Sequence, residues 1–163
     1  MQLRNLISSA VITALFAATA MAQQPAPAPK LYTSAADITA MMAKAKAERK
    51  DQPNIIQSII SLAPIAANLE YRASVGPAAS HAKDAEMFYV VDGAGTLITG
   101  GKIKDEKPQN ADNATGTAIE GGQTRKVAKG DFIMVPEGVP HWFSAIDSTL
   151  VLMSIHVPHA AAH

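Results

Sequence analysis

Gly130-Asp131-Phe132-Ile133-Met134-Val135-Pro136-Glu137-Gly138-Val139-Pro140-His141 reads as one strand held between two turns. Lys129, Gly130 and Asp131 signal a reversal, because glycine accepts the positive φ that tight turns require. Phe132 to Val135 is a short apolar run of strand type, and Pro136 to Pro140 turns the chain behind it. His141 then opens a second run to Ala145, in which alternation directs His141, Phe143 and Ala145 inward and leaves Trp142 facing outward or into an interface. A hairpin of this form delivers one imidazole to the interior of a sheet.

The same pattern of short β-like runs and turn residues extends on both sides. Leu69–Arg72, Glu86–Val91, Thr96–Thr99, Thr124–Val127 and Leu150–Val157 are further strand candidates. Turn signals fall at Asp92-Gly93-Ala94-Gly95, Gly100-Gly101 and Gly121-Gly122, and the polar stretch Lys102 to Glu120 reads as a surface excursion. Upstream the pattern is helical: Ser34 suits an N-cap, Asp37 the first turn, and Ala35 through Lys50 places Ile38, Met41, Met42 and Ala45 on one face. Its basic end suits the helix C-terminal dipole and a solvated face. Pro53 closes the helix, and the isoleucines from Ile55 to Ile60, bracketed by Pro53 and Pro64, favour a short strand or irregular packing. The fold class is therefore all-β, a sandwich or barrel, with an N-terminal helix.

His81 and Glu86 are five residues apart, so in one flat strand they would point to opposite faces. A turn over Ala82 to Ala85 would let one strand end at His81 and the next begin at Glu86, both inward, with Phe88 and Val90 as an apolar wall. These two residues, followed after six more by Gly93, resemble the first conserved motif of the cupins, and Gly130 to His141 resembles the second. The resemblance spans roughly Tyr71 to Val157 and implies a cupin-type double-stranded β-helix, a jelly-roll barrel. It further implies a metal centre on His81, Glu86 and His141. Two imidazoles and a carboxylate form a facial set suited to one divalent transition metal (Fe, Mn, Ni, Cu or Zn) and leave positions open for a substrate.

The family's first motif normally carries two histidines one residue apart before the glutamate. With His81 as the second, Ala79 stands where the first belongs; with His81 as the first, Lys83 stands where the second belongs. The asparagine usual near the end of the second motif is Ala145 here, and Gly76 is out of register with the leading glycine. His156, in the last strand, could replace the missing ligand, or belong with His159 and His163 to a histidine-bearing terminus. Tyr71 and Arg72 could line the cavity and grip an anionic substrate, against the alternative that Arg72 pairs with Glu70 at the surface. Asn113-Ala114-Thr115 matches a glycosylation acceptor, which a bacterial-style export signal makes uninformative.

The ends and the composition bound the rest. Residues 1–22 read as an export signal, with Arg4, an apolar run from Leu6 to Ala18, and Ala20-Met21-Ala22 for cleavage. Residues 23–33 alternate proline with alanine as an extended tether, 34–64 form the helix and an arm, and 65–163 the barrel. Cysteine is absent, which excludes disulfides and thiolate chemistry. Fourteen basic residues balance fourteen acidic ones, so nucleic acid is not expected as a partner and a small molecule is favoured. No stable membrane span is expected after cleavage. The expectation is an exported, periplasmic or secreted, metal-binding protein acting on a small polar molecule by oxygenase-like chemistry, as a dioxygenase or isomerase. The competing reading is a barrel that binds a ligand or metal without turnover, or one kept for assembly. A homodimer is expected, with Ile55 to Leu62 as one surface for it.

Overall fold

The computed structural model describes residues 28–159, so the export signal, the first part of the tether and His163 lie outside the described residues. In chain order the elements are α1 (Ala35–Glu48), β1 (Asn54–Leu62), β2 (Ile65–Arg72), β3 (Ala78–His81), β4 (Asp84–Thr99), β5 (Lys102–Lys104), β6 (Lys107–Pro108), β7 (Asn113–Gly116), β8 (Ala118–Glu120), β9 (Gln123–Ala128), β10 (Phe132–Val135) and β11 (His141–Pro158). The strands pair antiparallel. One sheet runs β1-β2-β11-β3-β7-β6, with β4 joining it to β9 and β10, and β5 pairs with β8 separately.

Two long strands make the barrel. β4 and β11 pair from His141 opposite Thr99 to Pro158 opposite Asp84, with bulges at Phe143/Ala145, Ile146/Leu150 and Val151/Leu152. Fifteen residues separate His141 from His156, a span of about 50 Å in a straight strand. Both imidazoles nevertheless reach the Glu86 carboxylate, at 3.1 and 3.4 Å. The ribbon therefore coils back on itself, and bulges sharpen the twist that lets it do so. This coil is the double-stranded β-helix.

Its inside holds Phe88, Val90, Leu97, Val127, Ile133, Val135, Phe143, Leu150 and Leu152. Phe88 and Phe143 meet edge to face, 5.4 Å between centroids, the arrangement their quadrupoles favour. A second cluster lies on the other face, where Ala67, Leu69 and Tyr71 of β2 and Val151 of β11 pack with Ala45, Ile38, Met41 and Met42 of α1. The apolar helix face named from the sequence is thus the face that covers the sheet. Its start is fixed by a capping box: the Asp37 backbone N–H donates to the Ser34 hydroxyl and the Ser34 backbone N–H to the Asp37 carboxylate.

Four expectations need correction. Asp92 to Gly95 is no hairpin, because β4 runs straight through it. Its glycines serve close approach instead: a Cβ on Gly93, where φ is +83°, would lie 2.0 Å from the Thr149 carbonyl oxygen. Ile55 to Leu62 is neither short nor irregular but the nine-residue edge strand β1, hydrogen-bonded to β2 and bulged between Ser58 and Ile60. The excursion from Lys102 to Glu120 contains β5 to β8, and β7 pairs with β3. Tyr71 does not line the cavity, because alternation along β2 turns it toward α1. The described part of the tether also touches β1, through paired backbone bonds between Lys30 and Ser61.

Candidate metal centre

Four side chains converge at one end of the barrel, each placed by a different local device. His81 is the last residue of β3, the chain bends at Ala82 and Lys83, and Glu86 faces the same interior from β4. His141 is aimed by the turn after β10, where Gly138 has φ +69° and its N–H donates to the His81 carbonyl at 2.6 Å, locking the two turns together. His156 stands directly opposite Glu86 in the β4–β11 register, and directly paired residues share a face. The third imidazole therefore comes from the last strand, while Ala79 is the register partner of His141.

Glu86 is the hub. Nε2 of His81 lies 3.3 Å and Nε2 of His141 3.1 Å from Oε2, and Nε2 of His156 lies 3.4 Å from Oε1. His81, Glu86 and His156 offer ligand atoms that all lie within 4.8 Å of one another, a group able to hold a metal ion; the expected set had His141 in place of His156, and His141 reaches Glu86 but stands outside this group. His81 and His156 also meet edge on, with centroids 4.7 Å apart. Glu86 and His141 are buried, while the His156 side chain remains 34% exposed, so the centre is reached from the His156 side. Phe88 packs 5.7 Å from the His141 ring and closes the inner side, with Phe143 and Val90 in the layers beyond.

Arg72 takes no part. Its Nε and NH2 bond the Glu70 carboxylate at 2.9 and 2.5 Å, and its guanidinium stacks 4.8 Å from the Phe143 ring. The pair is buried rather than superficial, at 14% and 6% side-chain exposure, so the arginine is committed inside the barrel and not open to a substrate anion.

The fit to a cation can be tested on His81. Its Nδ1 lies 2.6 Å from Asn113 Oδ1, which can only accept, so Nδ1 carries the hydrogen. In the neutral ring Nε2 is then bare, and it faces a carboxylate oxygen. Two lone pairs at that distance repel, and a proton on His81 or a metal ion between them relieves the repulsion. Imidazole nitrogen with one carboxylate is a donor set for first-row transition metals rather than calcium.

Without metal, the proton does this work. Burial pushes the Glu86 carboxyl up, but hydrogen bonds from His141 and His81 outweigh it and hold it at about 2. The His81 imidazole is raised above its ordinary value, chiefly by its bond to Glu86, against desolvation and with help from Asn113. The carboxylate's contribution to stability is present above about 4.5 and lost as pH falls toward 2. The imidazole's is present below about 6.5 and lost as pH rises through the raised value. In chelator, the difference in melting temperature between the wild type and Glu86→Gln should therefore be largest between about pH 4.5 and 6.5; a constant difference from pH 3 to pH 9 would contradict this pairing.

A recess of about 610 Å³ lies beside the centre, lined by Lys83, Asp84, Asp112, Asn113, Glu137 and His159 among others. It adjoins the imidazoles through Asn113, bonded to His81, and Asp84, whose Oδ2 is 3.8 Å from His156 Nδ1. Its charges are largely paired, Lys83 with Asp112 and His159 with Glu137, each at 2.9 Å. Sequence reasoning missed Asn113 and Asp84 as neighbours of the centre. The only signal for Asn113 was an asparagine-rich turn, Asn110 to Asn113, inside a stretch that otherwise reads as surface.

A family model described as Cupin matches residues 46–163. No curated protein matches the chain. Among solved structures, the hydroxypropylphosphonic acid epoxidase from S. wedmorenis is similar at 16% identity and a TM-score of 0.50, covering 65% of this chain and 51% of that one. The iron(II) form of HppE matches at 16% identity and 0.48, covering 64% and 50%. A candidate mannose-6-phosphate isomerase from Ralstonia eutropha JMP134 matches at 14% and 0.48, covering 66% and 87%. The chain spans about half the length of the epoxidase structures it matches. These likenesses are of fold.

Proposed function

The chain belongs to the cupin family, and from that premise we propose that it is an exported metal-binding cupin in which His81, Glu86, His141 and His156 hold one divalent transition metal. The carrying observation is that Nε2 of His81, whose Nδ1 is held by Asn113, faces a buried carboxylate that two further imidazole nitrogens also approach. When bound, such an ion supplies Lewis acidity and, if redox-active, chemistry with dioxygen. The chain's own residues do the rest. Glu86 lowers the net charge of the centre, and buried Phe88 excludes water from its inner side. A small polar molecule would enter from the recess past His156, and the paired charges there favour a neutral or zwitterionic guest over a strong anion. We read the activity as oxygenase-like, in the periplasm or outside the cell, by a homodimer.

One observation favours a second reading. Three imidazole nitrogens already crowd the Glu86 carboxylate, and with all four side chains on one ion few coordination positions would remain for a substrate, as suits a metal- or ligand-binding barrel without turnover.

Metal content of the purified chain tests the centre on which the leading reading rests. His156→Ala and His141→Ala should each lose more than about nine-tenths of bound metal with the fold intact by circular dichroism, because each removes a direct donor. Equal metal in wild type and both variants would retire the centre. Oxygen uptake by the metal-loaded protein over a panel of small diketones, phenols and hydroxy acids then decides turnover; an inert loaded protein supports the binder.

A further inference from the structure

We propose that Asn113 is a positioning residue for the metal centre, a tautomer lock on His81 set by Asn110. This rests on the metal reading above and adds how the centre is kept ready. The backbone N–H groups of Asp112 and Asn113 both approach one side-chain atom of Asn110 at 2.9 Å, and since each can only donate, that atom is the amide oxygen. The Asn113 atom 2.9 Å from the same oxygen must then be its nitrogen, which also donates. The other Asn113 atom is therefore its oxygen, and it accepts from His81 Nδ1 at 2.6 Å. Each assignment forces the next, from two backbone amides to the hydrogen on an imidazole.

The lock is built into the fold rather than resting on one contact. β7 pairs with β3, with Asn113 the register partner of His81. The Ala82 N–H donates to the Asp112 carbonyl at 2.7 Å, and Lys83 bonds the Asp112 carboxylate. The Asn113 carbonyl accepts from the Gln109 backbone at 2.8 Å, so the turn carrying Asn110 is tied down as well. A free imidazole favours the hydrogen on Nε2, the nitrogen the ion needs. Holding it on Nδ1 presents Nε2 bare and correctly oriented, the role that outer partners play at histidine metal sites.

Two measurements on the full-length protein test this with Asn113→Ala and Asn113→Asp. Long-range ¹H–¹⁵N spectra of the metal-free protein near pH 9 report the His81 tautomer. The wild type should show Nδ1–H, Asn113→Ala should shift toward Nε2–H, and Asn113→Asp, which keeps an acceptor, should restore Nδ1–H. Zinc, used as a diamagnetic probe in calorimetric titration, should bind about 10- to 100-fold more weakly to Asn113→Ala and near normally to Asn113→Asp. An Nε2–H wild type, or no change in Asn113→Ala, overturns the lock. If the wild type shows Nδ1–H yet binds no zinc, the metal reading fails while the lock stands.

Discussion

Glu86→Gln is expected to weaken divalent-metal binding by more than about a hundredfold, since residues that merely orient ligands are already worth about 10- to 100-fold and Glu86 is the hub itself. Glutamine keeps the shape, so the barrel should survive the exchange. What disappears is the buried negative charge around which three imidazole nitrogens gather at 3.1 to 3.4 Å. Titration calorimetry with zinc or cobalt reads the result directly. Near-wild-type affinity in a folded Glu86→Gln protein would mean that the carboxylate is structural, with the histidines surrounding it as a hydrogen-bonded core.

Gly93→Val is expected to be the most destabilising single exchange outside the centre. At φ +83° a branched side chain is strained by itself, by about 1–3 kcal/mol. Its Cβ would also stand 2.0 Å from the Thr149 carbonyl oxygen and 2.9 Å from the carbonyl carbon, so backbone must move to admit it. The contact lies where β4 and β11 slip register between Ile146 and Leu150. Urea unfolding should show a loss of at least about 3 kcal/mol, or no soluble protein at all. A midpoint within error of the wild type would show that the coil tolerates a wider crossing there.

Much of this was legible in local sequence. The capping box at Ser34 and the turns at Gly100, Gly121 and Gly130 depend on neighbours only, and local chemistry decides them. His81, Glu86 and His141 were legible because short turns aim them, and turns announce themselves through glycine, proline and spacing. His156 was harder. Its place opposite Glu86 depends on the register of two strands across three bulges, which no spacing within one segment encodes. Asn113 was hidden for a related reason, since its partner His81 lies 32 positions earlier and its surroundings are polar. Gly93 and Gly95 misled because a glycine needed for close packing looks, in sequence, like one needed for reversal.

The position of the two histidines at opposite ends of β11 has a mechanical side. An ion held by His156 and Glu86, with His141 bonded to the same carboxylate, would act as a clasp on a wound spring, closing fifteen residues into a hoop that cannot slacken from either end while the clasp holds. Loosening that hoop and releasing its cargo would be one event, so the protein would stiffen as free metal rises and soften as it is withdrawn.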